Sequence, residues 1–65
     1  MRENSIKKYR LKRGLTQEEL AEKLGVNRVS ISYWERGLAL PKGSRLLDVS
    51  TALGVSVDKL LRPQT

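Results

Sequence analysis

Neither cysteine nor histidine occurs anywhere in the 65-residue chain. That excludes a disulfide framework, a zinc finger, an imidazole base and a thiolate nucleophile, and a bound hard cation would need a carboxylate cluster that the sequence does not present. Long hydrophobic runs are missing as well, since no apolar stretch approaches the roughly 20 residues that span a bilayer. Met1-Arg2-Glu3 leads into a polar, charged segment without a signal-peptide core, so a cytoplasmic location is expected. No stretch alternates with a period of two, which argues against a sheet. The length leaves no room for a second domain, and residues 1–65 are read as one unit with its core at about 4–61. A chain this short buries only about 60% of the surface it exposes when unfolded. With disulfides and metals excluded, its stability must come from regular packing and from partners.

Positive charge, by contrast, is in excess: thirteen Lys and Arg against seven Asp and Glu give +6. That balance predicts attraction to polyanions and leaves nucleic acid and an anionic membrane both open. The charge is also segregated. Arg2, Lys7, Lys8, Arg10, Lys12 and Arg13 crowd the first segment against Glu3 alone, whereas Glu18, Glu19 and Glu22 then outnumber Lys23. Arg28, Arg36, Lys42 and Arg45 follow against Glu35, and the remainder is balanced. Such a chain is expected to own a basic face and an acidic one.

Glycines and hydroxyl residues punctuate the sequence into five short helices. Ile6, Tyr9 and Arg10 share a face of the first, predicted over about 4–13 and ended by Gly14. Thr16-Gln17-Glu18-Glu19 has the spacing of a capping box, so a second helix starts there, buries Leu20, Ala21 and Leu24, and ends at Gly25. Asn27 caps a third, with Ile31 and Trp34 inward and Gly37 as its stop. Ser44 or a neighbour opens a fourth, with Leu46, Val49 and Leu53 on one stripe before Gly54. Ser56, with Asp58 in the first turn, opens a fifth that carries Leu60 and Leu61 and stops before Pro63. The expected fold is therefore all-α.

About three residues join the second and third helices, with Gly25 at the turn. A connection that short makes two helices cross at about 90–120°, the helix-turn-helix arrangement. In it Ala21 must be small where the helices approach, Gly25 must accept positive φ, and Val26, Ile31 and Trp34 fill the wedge.

The segment from Gln17 to Trp34, with Leu20, Ala21, Gly25, Val26 and Ile31 at their offsets, closely resembles the helix-turn-helix of phage repressors, Cro proteins and their bacterial relatives. The likeness extends through Arg10-x-x-Arg13-Gly14-Leu15-Thr16, Trp34-Glu35-Arg36-Gly37, Pro41 and Leu53-Gly54-Val55-Ser56-Val57-Asp58-x-Leu60-Leu61, and covers roughly residues 6–61. It implies a compact five-helix domain of the lambda-repressor type. It also implies that Arg10, awkwardly placed beside Ile6 and Tyr9, forms a structural ion pair with Glu35. Leu38-Ala39-Leu40 departs from the pattern, being apolar where similar proteins often carry a basic or polar loop. That stretch is expected to contribute few phosphate contacts, and either closes the core or meets a partner.

On a third helix that turns Ile31, Trp34 and Glu35 inward, Val29, Ser32, Tyr33 and Arg36 face outward, and Arg28 stands at the leading edge. The N-terminal end of a recognition helix enters the major groove. There Arg28 can donate twice to guanine, Val29 can meet a thymine methyl, and Ser32 and Tyr33 can reach bases or phosphates. Gln17, at the amide-rich start of the second helix, is a phosphate candidate, as the resemblance also implies. Asn27, Arg36, Lys42, Ser44 and Arg45 flank the reading helix and are candidates for further phosphate contacts. Glu18 and Glu22 are expected to lie off that surface.

The resemblance implies a sequence-specific, DNA-binding transcriptional regulator encoded by a bacterium or phage, nucleoid-associated when bound. We read it as a repressor that binds a palindromic operator as a homodimer. Val57, Lys59 and Leu61, with Leu47 beside them as a further candidate, would supply the dimer contact. The alternatives are an antitoxin-type interaction module that regulates its own operon and a restriction-modification controller. Neither a cofactor nor a small-molecule ligand, metal or membrane partner is expected. An enzyme is disfavoured, because the dispersed carboxylates cannot assemble an acid, base and nucleophile set without His or Cys.

Overall fold

The computed structural model describes residues 4–63, so Arg2 of the basic leading segment lies outside them. The helices are α1 (Ile6–Lys12), α2 (Gln17–Leu24), α3 (Arg28–Glu35), α4 (Ser44–Leu53) and α5 (Val57–Leu61). No strand occurs among the described residues, and the architecture is the all-α, five-helix one read from the sequence.

Local chemistry sets the helix ends. At the start of α2 the Glu19 amide donates to the Thr16 hydroxyl at 3.0 Å, and the Thr16 amide donates to the Glu19 carboxylate at 2.8 Å, which closes the capping box. Those bonds favour the ionised carboxyl. The Thr16 backbone amide, then its hydroxyl, hold Glu19 below the ordinary carboxylate pKa. Gly25, at φ 68°, supplies the left-handed residue that ends α2. Asn27 caps α3 by accepting from the Val29 amide at 2.8 Å, and Ser56 caps α5 by accepting from the Lys59 amide at 3.2 Å. Gly43 stands at the start of α4, without a side-chain cap, so Ser44 is that helix's first residue.

The first helix begins two residues later than the periodicity predicts. Asn4 accepts from the Ile6 amide at 3.0 Å and donates to the Trp34 carbonyl at 2.8 Å. Ser5 donates through its amide to the Leu60 carbonyl and through its hydroxyl to the Arg62 carbonyl, each at 2.8 Å. Residues 4 and 5 therefore tie the chain's beginning to α3 and α5 instead of extending α1 by half a turn.

Ile6, Leu20, Ile31, Val49, Leu53 and Leu60 are fully buried, and Ala21, Leu24 and Trp34 nearly so, with every helix contributing to the one core. Burying one such large aliphatic side chain stabilises the fold by about 1.5–3 kcal/mol. Packing has to do this, because helices this short are unstable alone in water. α2 packs most extensively on α3 and then on α4, while α1 lies across α3 and α5. In the loop after α3, Pro41 is buried and Leu40 partly so, but Leu38 and Ala39 are exposed. The apolar stretch is therefore covered only at its end, and none of its three residues belongs to the core.

One further long-range bond fixes the back of the molecule. Arg13 donates from Nε to the Leu53 carbonyl at 2.9 Å, placing a cation at the negative end of α4. Its guanidinium lies flush against Gly54, which ends α4 at φ 69°.

Candidate nucleic-acid interface

The core contacts decide which face of α3 is free. Ile31 and Trp34 are buried, and the Glu35 side chain is only 4% exposed. At about 100° per residue, that turns Arg28, Val29, Tyr33 and Arg36 to the surface and leaves Ser32 half-buried between the two faces. Val29 and Tyr33 are both more than two-fifths exposed, which packing alone does not require of an apolar and an aromatic side chain.

Behind this face lies a file of hydrogen bonds. Arg10 donates from Nε to Glu35 Oε2 at 2.5 Å and from Nη2 to Glu35 Oε1 at 3.2 Å, while its Nη1 donates to the Leu15 carbonyl at 2.7 Å. Both side chains of this ion pair are buried, which accounts for a cation on the inner face of α1. Glu35 Oε1 also accepts from Gln17 Nε2 at 3.0 Å, and Gln17 Oε1 accepts from Arg28 Nη1 at 3.4 Å. Arg10, Thr16, Gln17, Glu18 and Arg28 line an open concavity here. Because α2 starts at this point, unpaired backbone amides and the positive end of the helix dipole also favour an anion.

The remaining candidates surround α3 with differing freedom. Asn27 uses its side-chain oxygen as the α3 cap, which leaves its amide group to donate elsewhere. The Arg36 guanidinium stands 5.5 Å from the centre of the Tyr33 ring, so the aromatic face supports its approach to the surface. Lys42 and Ser44 are exposed at the start of α4. Arg45 is more occupied: Nη1 donates to the Leu24 carbonyl at the end of α2 at 2.6 Å and lies 3.9 Å from Asp48. Glu22 is exposed on α2, but Glu18, expected off the DNA-facing surface, lines the concavity beside Gln17 and Arg28, because the first turn of α2 brings it there. Of the candidates for a contact between copies, Leu47 is 62% exposed and Leu61 41%, while Lys59 is exposed and Val57 half-buried.

Sequence reasoning missed two positioning residues. Asn4 had a local signal, since an Asn two residues ahead of the first apolar helix position can accept from the backbone amide there. Arg13 is marked only as part of the family pattern, and no local spacing shows its bond, because the carbonyl partner is 40 residues away. Among the described residues no helix is long and apolar enough to cross a membrane.

A helix-turn-helix family model matches residues 6–60. Over 57 residues the chain is 42% identical to repressor protein C2 of Salmonella phage P22, covering 88% of this chain but 26% of that protein. Over 56 residues it is 41% identical to the transcriptional activator BcrR of Enterococcus faecalis, covering 86% of this chain and 28% of the relative. The chain thus spans about a quarter of the length of these curated relatives. Among solved structures, the P22 c2 repressor in complex with a synthetic operator is similar at a TM-score of 0.83, with 41% identity over 91% of this chain and 89% of that one. SinR, a biofilm regulator of Bacillus subtilis solved in complex with DNA, is similar at 0.78, with 45% identity over 88% and 92% of the two chains.

Proposed function

This chain belongs to the helix-turn-helix family, and on that premise we propose that it is a sequence-specific DNA-binding transcriptional regulator, not an enzyme. The observation that carries the reading is the division of α3. Its inner face is locked by Ile31, Trp34 and the Arg10–Glu35 pair, and its outer face presents the exposed Arg28, Val29 and Tyr33, which are not part of the core. A helix held rigidly from behind, with a cation and apolar tips at its leading edge, suits the major groove. The P22 repressor, similar over nearly the whole of this chain, was solved on an operator, which supports the same use of the fold here.

In this reading Arg28, Val29, Ser32 and Tyr33 face base edges, with Arg28 taking guanine. Gln17, Asn27, Arg36, Lys42, Ser44 and Arg45 hold phosphates on either side, and the concavity at the start of α2 takes one of them. One module buries too little surface for high specificity, so two copies act as a homodimer on a palindromic operator, their heads about 34 Å apart. Val57, Lys59 and Leu61 supply the contact, with the exposed Leu47 a further candidate. The setting is the cytoplasm and its nucleoid DNA. Repression is the direction we favour, because occupying a site suffices to block a polymerase whereas activation needs a further contact. Leu38, 54% exposed in an apolar loop, favours one second reading, an antitoxin-type module that seats a protein partner there and regulates its own operon.

Titration against duplex DNA from upstream of its own gene, at several salt concentrations, tests the proposal. With Arg36, Lys42 and Arg45 of each copy neutralising about six phosphates per pair of copies, log affinity is expected to fall against log salt with a slope near −5. Binding that is indifferent to both salt and sequence overturns it.

A further inference from the structure

The last turn of the reading helix is gripped at two successive residues. Arg10 bonds the Glu35 side chain, and Asn4 donates from Nδ2 to the Trp34 carbonyl at 2.8 Å. One such contact fixes a position, whereas two on the same helix also fix its direction. The Trp34 carbonyl accepts from the Gly37 amide as well, at 3.2 Å, but that bond ties α3 to no other helix. Asn4 is held from both ends, since its oxygen accepts from the Ile6 amide at 3.0 Å, and turning its amide over would make both contacts repulsive. Ser5 is tied in turn to the end of α5, its amide donating to the Leu60 carbonyl and its hydroxyl to the Arg62 carbonyl. A serine at a helix N-cap ordinarily accepts from its own helix. The Ser5 hydroxyl makes no such bond to α1 and serves another helix instead.

We infer that Asn4 and Ser5 form a brace through which α5 sets the pose of the far end of the reading helix, so that both residues shape base discrimination there without touching DNA. This rests on the DNA-reading role of α3 proposed above. Asn4 is 6% and Ser5 4% exposed, so neither can meet a duplex itself. Tyr33 is the base-reading candidate next to the braced carbonyl, and its aim follows the last turn. Arg28 stands about 7.5 Å away along the helix, where the turn from α2 and the Asn27 cap place it. A shift of the last turn therefore misaims Tyr33 and leaves Arg28 where it is. Loss of one neutral bond in the brace is expected to change discrimination by about three- to tenfold.

The experiment first enriches duplexes from a randomised pool with the wild-type chain, then substitutes every base pair of the enriched half-site in turn. Arg28→Ala and Tyr33→Ala each identify the base pair at which they lose discrimination. The hydroxyl of Asn4→Ser can still accept from the Ile6 amide but is too short to reach the Trp34 carbonyl. Asn4→Ser and Ser5→Ala are each expected to lower discrimination about three- to tenfold at the Tyr33 pair and to leave the Arg28 pair unchanged. Because the two residues act in series, the double variant should lose no more than the larger single loss. A merely structural role would weaken every duplex alike and keep both discriminations, and that result overturns the inference. So do additive losses in the double variant, a loss at the Arg28 pair, or a Tyr33→Ala that loses discrimination nowhere. If Asn4→Ser is unfolded at the binding temperature, Ser5→Ala, which keeps the amide bond to Leu60, carries the same comparison alone. A wild-type chain that enriches no sequence removes the DNA-reading role itself, an outcome distinct from normal enrichment with an unaltered Tyr33 pair.

Discussion

Asn4 donates its side-chain amide to the Trp34 carbonyl at 2.8 Å, 30 residues along the chain, and so fastens the beginning of α1 to the end of the reading helix. The same side chain accepts from the Ile6 amide, and Asn4 is only 6% exposed. Removing it leaves the Ile6 amide unpaired and the Trp34 carbonyl with only the Gly37 amide, 3.2 Å away. Asn4→Ala is therefore expected to cost about 1–3 kcal/mol in urea denaturation. Asn4→Asp keeps the acceptor for Ile6 but sets a carboxylate against the Trp34 carbonyl, so it should destabilise at least as much at neutral pH. A variant of either kind with wild-type stability would show that the bond to α3 carries no weight.

Gly54 and Gly25 end their helices at nearly the same φ, yet their surroundings differ. A Cβ at Gly25 meets nothing, whereas one at Gly54 collides with the Arg13 guanidinium. Gly25→Ala should cost only the left-handed strain, about 1–2 kcal/mol. Gly54→Ala should cost that plus about 1 kcal/mol, because Arg13 must swing away and give up the Leu53 carbonyl. The excess should vanish when both changes are compared in an Arg13→Ala background. Equal losses for the two glycines would mean that the Arg13 bond contributes nothing.

These residues mark the limit of what the sequence carries. The capping box at Thr16, the stop at Gly25 and the inward stripe of Leu20, Leu24 and Ile31 are local, and short-range spacing suffices to find them. Of the outward set on α3, Val29, Tyr33 and Arg36 follow from the same period once its inner face is known, whereas Ser32 lies half-buried at the border. Asn4 and Arg13 act across 30 and 40 residues, where only the assembled fold brings donor and carbonyl together. The engagement of Arg45 with the end of α2 is of the same kind. Charge and spacing mark it as a cation beside the reading helix, but packing decides how far it is free.

The capping box makes a pH-dependent contribution whose sign can be worked out. Bonds from Thr16 lower the Glu19 pKa in the folded chain, so the associated stability is present above the ordinary carboxylate value and is lost as pH falls through the depressed one. Glu19→Gln keeps a neutral partner for the Thr16 amide but cannot ionise. Thermal melts from pH 7 down to pH 3 should therefore find wild type more stable than Glu19→Gln at neutral pH, with the gap closing towards the acid end. A gap that stays constant across that range would assign the stabilisation to hydrogen bonding without charge.

Arg28 and Lys42 are both exposed cations beside α3, but the proposed interface gives them different tasks. A forked guanidinium at the leading edge can satisfy two guanine acceptors at once, which a competing base pair cannot offer. A lysine at the start of α4 is a mobile point charge that any phosphate satisfies. Arg28→Ala is accordingly expected to cost about 1–3 kcal/mol on the preferred duplex and to relax preference at one base pair in each half-site. Lys42→Ala should weaken all duplexes alike and make the salt slope shallower by about 1 per copy. Quantitative binding on matched and single-substituted duplexes, at two or more salt concentrations, separates the two. Indistinguishable behaviour would place both residues on the backbone and move base reading to Val29, Ser32 and Tyr33.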